Sequence, residues 1–141
     1  MAGSEQADCV DNCKEGGKAP PDQEYRAELL QLPYAFKPRP EITSISSSTV
    51  KYGDSLTIKY KSPNFISFVS VIPPGANTHS LNMMQRVVYL KVVDRKDKDG
   101  SMTVQLPLMS DRVLNPGYQM LWIVDDQKVP CKEAKWIKLK A

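Results

Sequence analysis

Beyond about its first forty residues, the chain consists of short segments in which apolar and polar residues alternate. In the clearest segment Leu56, Ile58 and Tyr60 fall on one face, whereas Thr57 and Lys59 fall on the other. A period of two is typical of a β-strand that buries one face. No segment carries the 3.6-residue period of a long amphipathic helix. The pattern therefore predicts an all-β fold.

Seven such segments are separated by residues that favour turns, as in Tyr52-Gly-Asp54 and Asn115-Pro-Gly117. The predicted strands are Ile42 to Ser46, Leu56 to Tyr60, Ile66 to Ile72, Arg86 to Val93, Met102 to Leu106, Tyr118 to Val124 and Ala134 to Leu139. Strands at this spacing predict an immunoglobulin-like β-sandwich of about seven strands. The segment from Ile66 to Ile72 is apolar on both faces, as is typical of a central strand.

Aromatic residues on the last two segments are predicted to lie in the core. Trp122 shares a strand face with Met120 and Val124, and Trp136 lies on an alternating segment near the C-terminus. Large apolar side chains on such faces are mostly buried. Tyr118 is expected to pack as well, with its hydroxyl bonded to a neighbouring loop.

Composition changes before the strands begin. Residues 1–37 form an irregular head in this interpretation, rich in Gly and Pro at its start and apolar from Tyr25 to Phe36. Pro38 and Pro40 make a stiff, extended connector. We therefore expect a domain boundary between this head and a sandwich at residues 38–141.

Charge and hydropathy exclude several functional classes. The 141 residues carry a net charge of +3, from 19 basic and 16 acidic side chains. No stripe of Lys and Arg interleaved with aromatics suggests nucleic-acid binding, and no apolar run approaches the ~20 residues of a membrane span. The first 30 residues contain no apolar signal-peptide region, which leaves localisation open.

Three cysteines, Cys9, Cys13 and Cys131, give an odd count. The first two are spaced more widely than a Cys-x-x-Cys redox motif, and no second pair completes a zinc site. Incidental thiols or a local disulfide are one interpretation, and a metal clip or redox motif is the other.

Candidate catalytic residues are few. His79 is the single histidine, and it lies in a polar stretch between two apolar segments. Functional side chains are often displayed on such loops, but one imidazole cannot form a metal site unaided. Arg86, at the end of this stretch, is either an exposed ion-pairing residue or a donor that orients the loop backbone.

Several motifs in the right order resemble the C-terminal domain of galactose oxidase and glyoxal oxidase, the copper-radical oxidases, across residues 40–141. The matching strings are Arg39-Pro-Glu-Ile-Thr43, Val50-Lys-Tyr-Gly-Asp54, Thr78-His-Ser-Leu-Asn-Met-Met-Gln-Arg86, Asn115-Pro-Gly-Tyr-Gln-Met-Leu121, Val129-Pro130 and Ala134-Lys-Trp136. Residues 24–36 and Ala2-Gly-Ser4 are similar to the linker and the last propeller blade that precede this domain in the family.

The resemblance implies an immunoglobulin-like sandwich of the early set type that packs against a seven-bladed propeller. It also implies that His79 is a copper ligand, delivered by a loop into the propeller channel. In the family the other protein ligands come from the propeller, and the enzyme oxidises a primary alcohol or aldehyde and forms hydrogen peroxide.

This chain has no Tyr-His dipeptide and too few residues for a propeller. The expectation is therefore a domain that supplies one copper ligand to a propeller partner and binds copper weakly or not at all by itself. The alternative is a non-catalytic binding or structural module derived from that family. The surface that would meet the propeller should form an apolar patch around the Tyr25–Phe36 segment and the histidine stretch, and self-association is an expected consequence in the isolated chain.

Overall fold

A computed structural model describes residues 30–141, so the interpretations of residues 1–29, including those for Cys9 and Cys13, lie outside the described residues. The strands are β1 Glu41–Ile45, β2 Thr49–Lys51, β3 Ser55–Lys61, β4 Ile66–Ile72, β5 Ala76–Thr78, β6 Leu81–Met83, β7 Val88–Lys96, β8 Ser101–Gln105, β9 Gly117–Asp125 and β10 Lys135–Lys140. Short 3-10 helices lie at Pro33–Phe36, Asp97–Asp99 and Met109–Asp111. None of the helices in residues 30–141 is long and apolar enough to cross a membrane.

Eight of these strands form one curled sheet in the order β1-β3-β8-β7-β4-β9-β10-β2. Strand β7 belongs to both halves of the sheet, because Val88–Leu90 pairs with β4 whereas Lys91–Lys96 pairs with β8. A register shift between Val92 and Asp94 marks the second half of this strand. The two halves thus face each other, and the all-β, immunoglobulin-like prediction is confirmed.

The core lies between the two halves and is filled by inward-facing pairs from neighbouring strands. Leu56 pairs with Val104 across β3 and β8, and Val69 pairs with Ile123 across β4 and β9. All four side chains are fully buried. Burial of apolar area at this scale is the main favourable term in folding.

Strand β9 buries the opposite face from the one that its aromatic residues suggest. Leu121 and Ile123 are fully buried, whereas Trp122 is only half-buried against the core. Tyr118 is 59% exposed, with the ammonium of Lys138 5.5 Å from its ring centroid. The prediction that Tyr118 is a packed residue is wrong, because the register of β9 places it on the alternate face.

Strand β10 shows the same inversion. Ile137 and Leu139 are buried, whereas Trp136, on the other face of the strand, is 51% exposed. The prediction of a core position for Trp136 is therefore wrong, since the branched residues of β10 occupy the core instead. Sequence alternation located the strand but not its inward face.

Candidate functional site

The stretch that contains His79 is a β-hairpin at one end of the sandwich. Strands β5 and β6 pair antiparallel, with Ala76 opposite Met83 and Thr78 opposite Leu81. His79 and Ser80 alone connect them. The hairpin leaves the sheet after β4 and returns at the start of β7, so the two strands of one half of the sandwich hold its base.

The hairpin turn places both of its central residues in the left-handed region. The φ angles are 51° at His79 and 61° at Ser80, which is the pattern of a type I′ turn. Left-handed backbone costs about 1–2 kcal/mol for a residue other than glycine. As one of the two turn residues, His79 lies at the tip of the hairpin, where it is exposed.

The His79 ring is oriented by its neighbour in the chain. Its Nδ1 atom lies 2.7 Å from Oγ1 of Thr78. When Nδ1 carries the proton, it donates to this hydroxyl and leaves the lone pair of Nε2 free. A hydrogen bond at Nδ1 sets the ring direction of a metal-binding histidine.

Arg86 anchors the base of the hairpin to the loop between β8 and β9. One guanidinium nitrogen of Arg86 donates to the carbonyl of Val113 at 2.8 Å and to that of Arg112 at 3.4 Å. Within residues 30–141 Arg86 makes no ion pair. Arg86 is thus a donor to main-chain carbonyls, but those of the β8–β9 loop and not those of the histidine stretch that the sequence suggested.

The glycine at the base of the hairpin lies close to the side chain of Asn82. A Cβ atom on Gly75 would lie 2.8 Å from the side-chain oxygen of Asn82. The backbone of Asn82 also accepts a hydrogen bond of 2.8 Å from the side-chain amide of Gln85. These short distances connect the entry of the hairpin to its exit.

Apolar side chains cover the outside of the hairpin. Leu81 is 63% exposed, Met83 is 51% exposed and Met84 is 49% exposed. Exposed apolar residues that cluster on a projecting element are typical of a surface that meets a partner. This finding agrees with the expected apolar patch around the histidine stretch.

The loop from Pro107 to Pro116 lies beside the hairpin. The hydroxyl of Tyr52 donates to the carbonyl of Leu114 at 2.8 Å, and the amide of Gly53 donates to the carbonyl of Pro107 at 3.0 Å. The carboxylate of Asp111 accepts a hydrogen bond of 2.9 Å from the amide of Leu108. The β2–β3 turn thus holds this loop beside the hairpin.

His79 stands without companion ligands in the described part of the chain. Among residues 30–141 no group of three or more His, Cys, Asp or Glu side chains is placed to hold a metal ion. Cys131 is buried and forms no disulfide within residues 30–141, and burial raises the pKa of its thiol. Its sulfur contacts the carbonyl of Glu133 at 3.3 Å, so it is a core residue rather than a ligand.

At the opposite end of the sandwich, a polar network closes the β7–β8 turn. The Tyr60 hydroxyl donates to the Asp97 carboxylate at 2.9 Å, and Arg95 donates to the carbonyl of Ile66 at 2.7 Å. The guanidinium of Arg95 also stacks 4.4 Å from the ring centroid of Phe65. Burial, followed by the bond to Asp97, raises the pKa of Tyr60 to about 12.

The sequence matches the family described as "Galactose oxidase-like, Early set domain" over residues 39–139. The chain belongs to the galactose oxidase-like early set domain family. Galactose oxidase from Gibberella zeae is 37% identical over 92 residues, which cover 65% of this chain and 13% of the relative. A second galactose oxidase from the same species is 36% identical over the same length.

A solved structure supports the same assignment of this early set domain. A fungal alcohol oxidase of the AA5 family, in complex with copper, matches with a TM-score of 0.63 and 31% identity. The match covers 77% of this chain and 23% of that structure. The chain therefore spans about an eighth of the galactose oxidases and under a quarter of the alcohol oxidase.

Proposed function

We propose that this chain is the C-terminal domain of a galactose or glyoxal oxidase-like copper-radical oxidase, and that it supplies His79 as one copper ligand to a propeller domain. The assembled enzyme would oxidise primary alcohols or aldehydes and form hydrogen peroxide. The observation that carries this proposal is the single imidazole at the tip of a projecting, apolar hairpin in a domain of this family.

Residues 30–141 offer one imidazole as a copper ligand and no cluster of further ligands beside it. Nε2 of His79 is free while Nδ1 faces Thr78 at 2.7 Å, and imidazole is a favourable ligand for copper. No further ligand cluster lies in residues 30–141. The remaining ligands would therefore come from the propeller partner, and we expect weak copper binding or none by this chain alone.

The chain's own part in the reaction is to position one nitrogen. The left-handed turn at His79 and Ser80 keeps the ring at the hairpin tip, and the Thr78 hydroxyl, 2.7 Å from Nδ1, would accept the Nδ1 proton of the tautomer that binds copper through Nε2. Leu81 and Met83 would exclude water where the hairpin enters the partner. Bound copper would supply one-electron redox chemistry toward oxygen.

A fused hybrid tests this proposal. Residues 38–141 replace the early set domain of a galactose oxidase, and peroxide production from a primary alcohol is measured with copper present. The hybrid should turn over, and His79→Ala should abolish turnover because the metal loses a ligand. Ser80→Gly in the same turn is the matched control, which should keep the activity since glycine accepts the same φ.

The two candidate functions give different results in this assay. A folded hybrid in which His79→Ala turns over as fast as the unchanged sequence would favour the non-catalytic module instead. Peroxide production by the lone chain would also contradict the proposal, since the ligands assigned to the propeller would then be unnecessary.

A further inference from the structure

A cleft of about 790 Å³ opens at the base of the histidine hairpin. It lies between the residues that flank the hairpin, Pro73, Pro74 and Met84 to Arg86, and the stretch from Arg112 to Gln119. Its size is that of a binding site for a small ligand or a short peptide segment. The proposed role of His79 makes no use of this cleft.

The cleft carries uncompensated positive charge. Arg86 and Arg112 both line it, and no carboxylate is among the lining residues of the described chain. The contacts of Arg86 are main-chain carbonyls, which leave its formal charge in place. The ion pair within residues 30–141 joins Arg95 to Asp97 at the other end of the sandwich, and it does not involve the two arginines of the cleft.

The floor of the cleft contains a buried acceptor without a donor. Gln119 is 3% exposed, and its side-chain nitrogen donates to the carbonyl of Asn115 at 2.9 Å. Its side-chain oxygen has no hydrogen-bond partner among residues 30–141. This oxygen is buried behind the cleft lining and is not presented to an occupant, so recognition in the cleft falls to the two arginines.

The cleft is continuous with the apolar surface of the hairpin. Met84 belongs both to the cleft lining and to the exposed apolar residues, and Tyr118 at another edge is also exposed. A closed pocket for a free metabolite would be separated from such a surface. Continuity with a projecting apolar element is instead typical of a protein interface with charged and apolar parts.

We propose that this cleft binds an extended acidic segment of the partner domain, with carboxylates on Arg86 and Arg112. The proposal rests on the proposed function, because it assumes a partner beside the hairpin. Arginine recognises carboxylates through two parallel hydrogen bonds. The segment would set the register of docking while the hairpin delivers the imidazole.

A peptide titration of the full chain tests the proposal. The probe is a blocked pentapeptide of glycine with aspartate at its second and fourth positions, and its twin carries asparagine there. NMR titration at low salt should show binding of the aspartate peptide, with shifts around the cleft, and none of the twin. Arg112→Gln should weaken binding about tenfold, whereas the charge-matched Lys98→Gln at the far end should not.

Arg112 is exposed, so its variant is expected to fold even if Arg86→Gln does not. Equal binding of the two peptides, or equal losses in Arg112→Gln and Lys98→Gln, would overturn the proposal. Succinate binding as tightly as the peptide would indicate a small-molecule site and would overturn it too. The fused hybrid should exclude the peptide, and hybrid binding equal to that of the lone chain would contradict a docked segment.

The titration separates this proposal from the proposed function. It needs no copper, and His79→Ala should leave peptide binding unchanged. Peptide binding together with an inactive hybrid would refute the copper role of His79 alone. An active hybrid together with no peptide binding would refute the acidic segment alone.

Discussion

Asp125 offers a strong test of how the sandwich is held together at the end of β9. Its side chain is fully buried. One carboxylate oxygen accepts a hydrogen bond of 2.8 Å from the amide of Val129, and the other accepts one of 2.9 Å from the side-chain amide of Asn64. Asp125→Ala would leave both donors without a partner.

The expected loss follows from these two bonds. A hydrogen bond to a charged group contributes about 1.5–3 kcal/mol, so the pair contributes about 3–6 kcal/mol. A domain of this size has a free energy of unfolding of about 5–15 kcal/mol. Asp125→Ala should therefore remove a large share of the stability. With a urea dependence of about 1–3 kcal/mol per molar, the unfolding midpoint should fall by at least about 1 M.

The neighbouring Asp126 is the matched control. Asp126 is exposed, and its main-chain amide donates to the carbonyl of Phe65. Asp126→Ala keeps that hydrogen bond because the side chain takes no part in it. Its effect should stay within about 0.5 kcal/mol. Urea unfolding followed by tryptophan fluorescence measures both variants. Equal midpoints for the two variants would refute the reasoning, and Asp125→Asn, which keeps one acceptor, should fall between them.

Three further predictions concern single groups. Thr78→Val removes the hydroxyl beside His79 Nδ1 and should weaken copper binding by the hybrid about 10–100-fold; unchanged copper titrations would contradict the orienting role. The pKa of Tyr60 is raised to about 12 in the folded state, against ~10 unfolded. Its contribution is thus complete below pH 10 and is lost as pH rises toward 12, so urea midpoints should fall there and Tyr60→Phe should flatten the fall. Ser80→Gly relieves about 1–2 kcal/mol of backbone strain in the turn and costs about 0.5–1 kcal/mol of additional chain entropy on folding. The hairpin should therefore become more stable, and its amide hydrogen exchange should slow. Faster exchange would argue against strain at Ser80.

The strands that alternate cleanly could be assigned correctly from sequence. In β3 the buried residues are Leu56, Ile58 and Tyr60, and in β8 they include Met102 and Val104, as the alternation indicates. One face of each strand is polar, so the period of two also fixes the direction of the core. These two strands pair with each other in the structure.

The inward face of β9 and β10 could not be assigned in the same way. Both faces of β9 carry large apolar residues, so composition does not distinguish Trp122 from Ile123. In β10 the bulk of Trp136 suggested burial, yet the neighbouring Ile137 is 1% exposed and Trp136 is 51% exposed. Register against β4 decides which face points inward, and register is a tertiary property.

The hairpin escaped sequence analysis for a different reason. Two-residue type I′ turns are normally recognised in a sequence by Asn-Gly or a similar pair, whereas here the turn residues are His79 and Ser80. The stretch therefore resembled an irregular polar loop. The alternation of Ala76 to Thr78 is too short to reveal a strand, so the projecting shape of the candidate site came from the structure alone.

Strands β1 and β2 stand at the two outer positions of the sheet, yet they are consecutive in the chain and only residues 46–48 connect them. A single stretch from Glu41 to Lys51 therefore seals both borders of the fold at once. Detachment of this stretch would uncover the flank of β3 and that of β10 together. Either exposed edge could then pair with a strand from another molecule. This one stretch therefore protects both edges of the sheet against domain swapping.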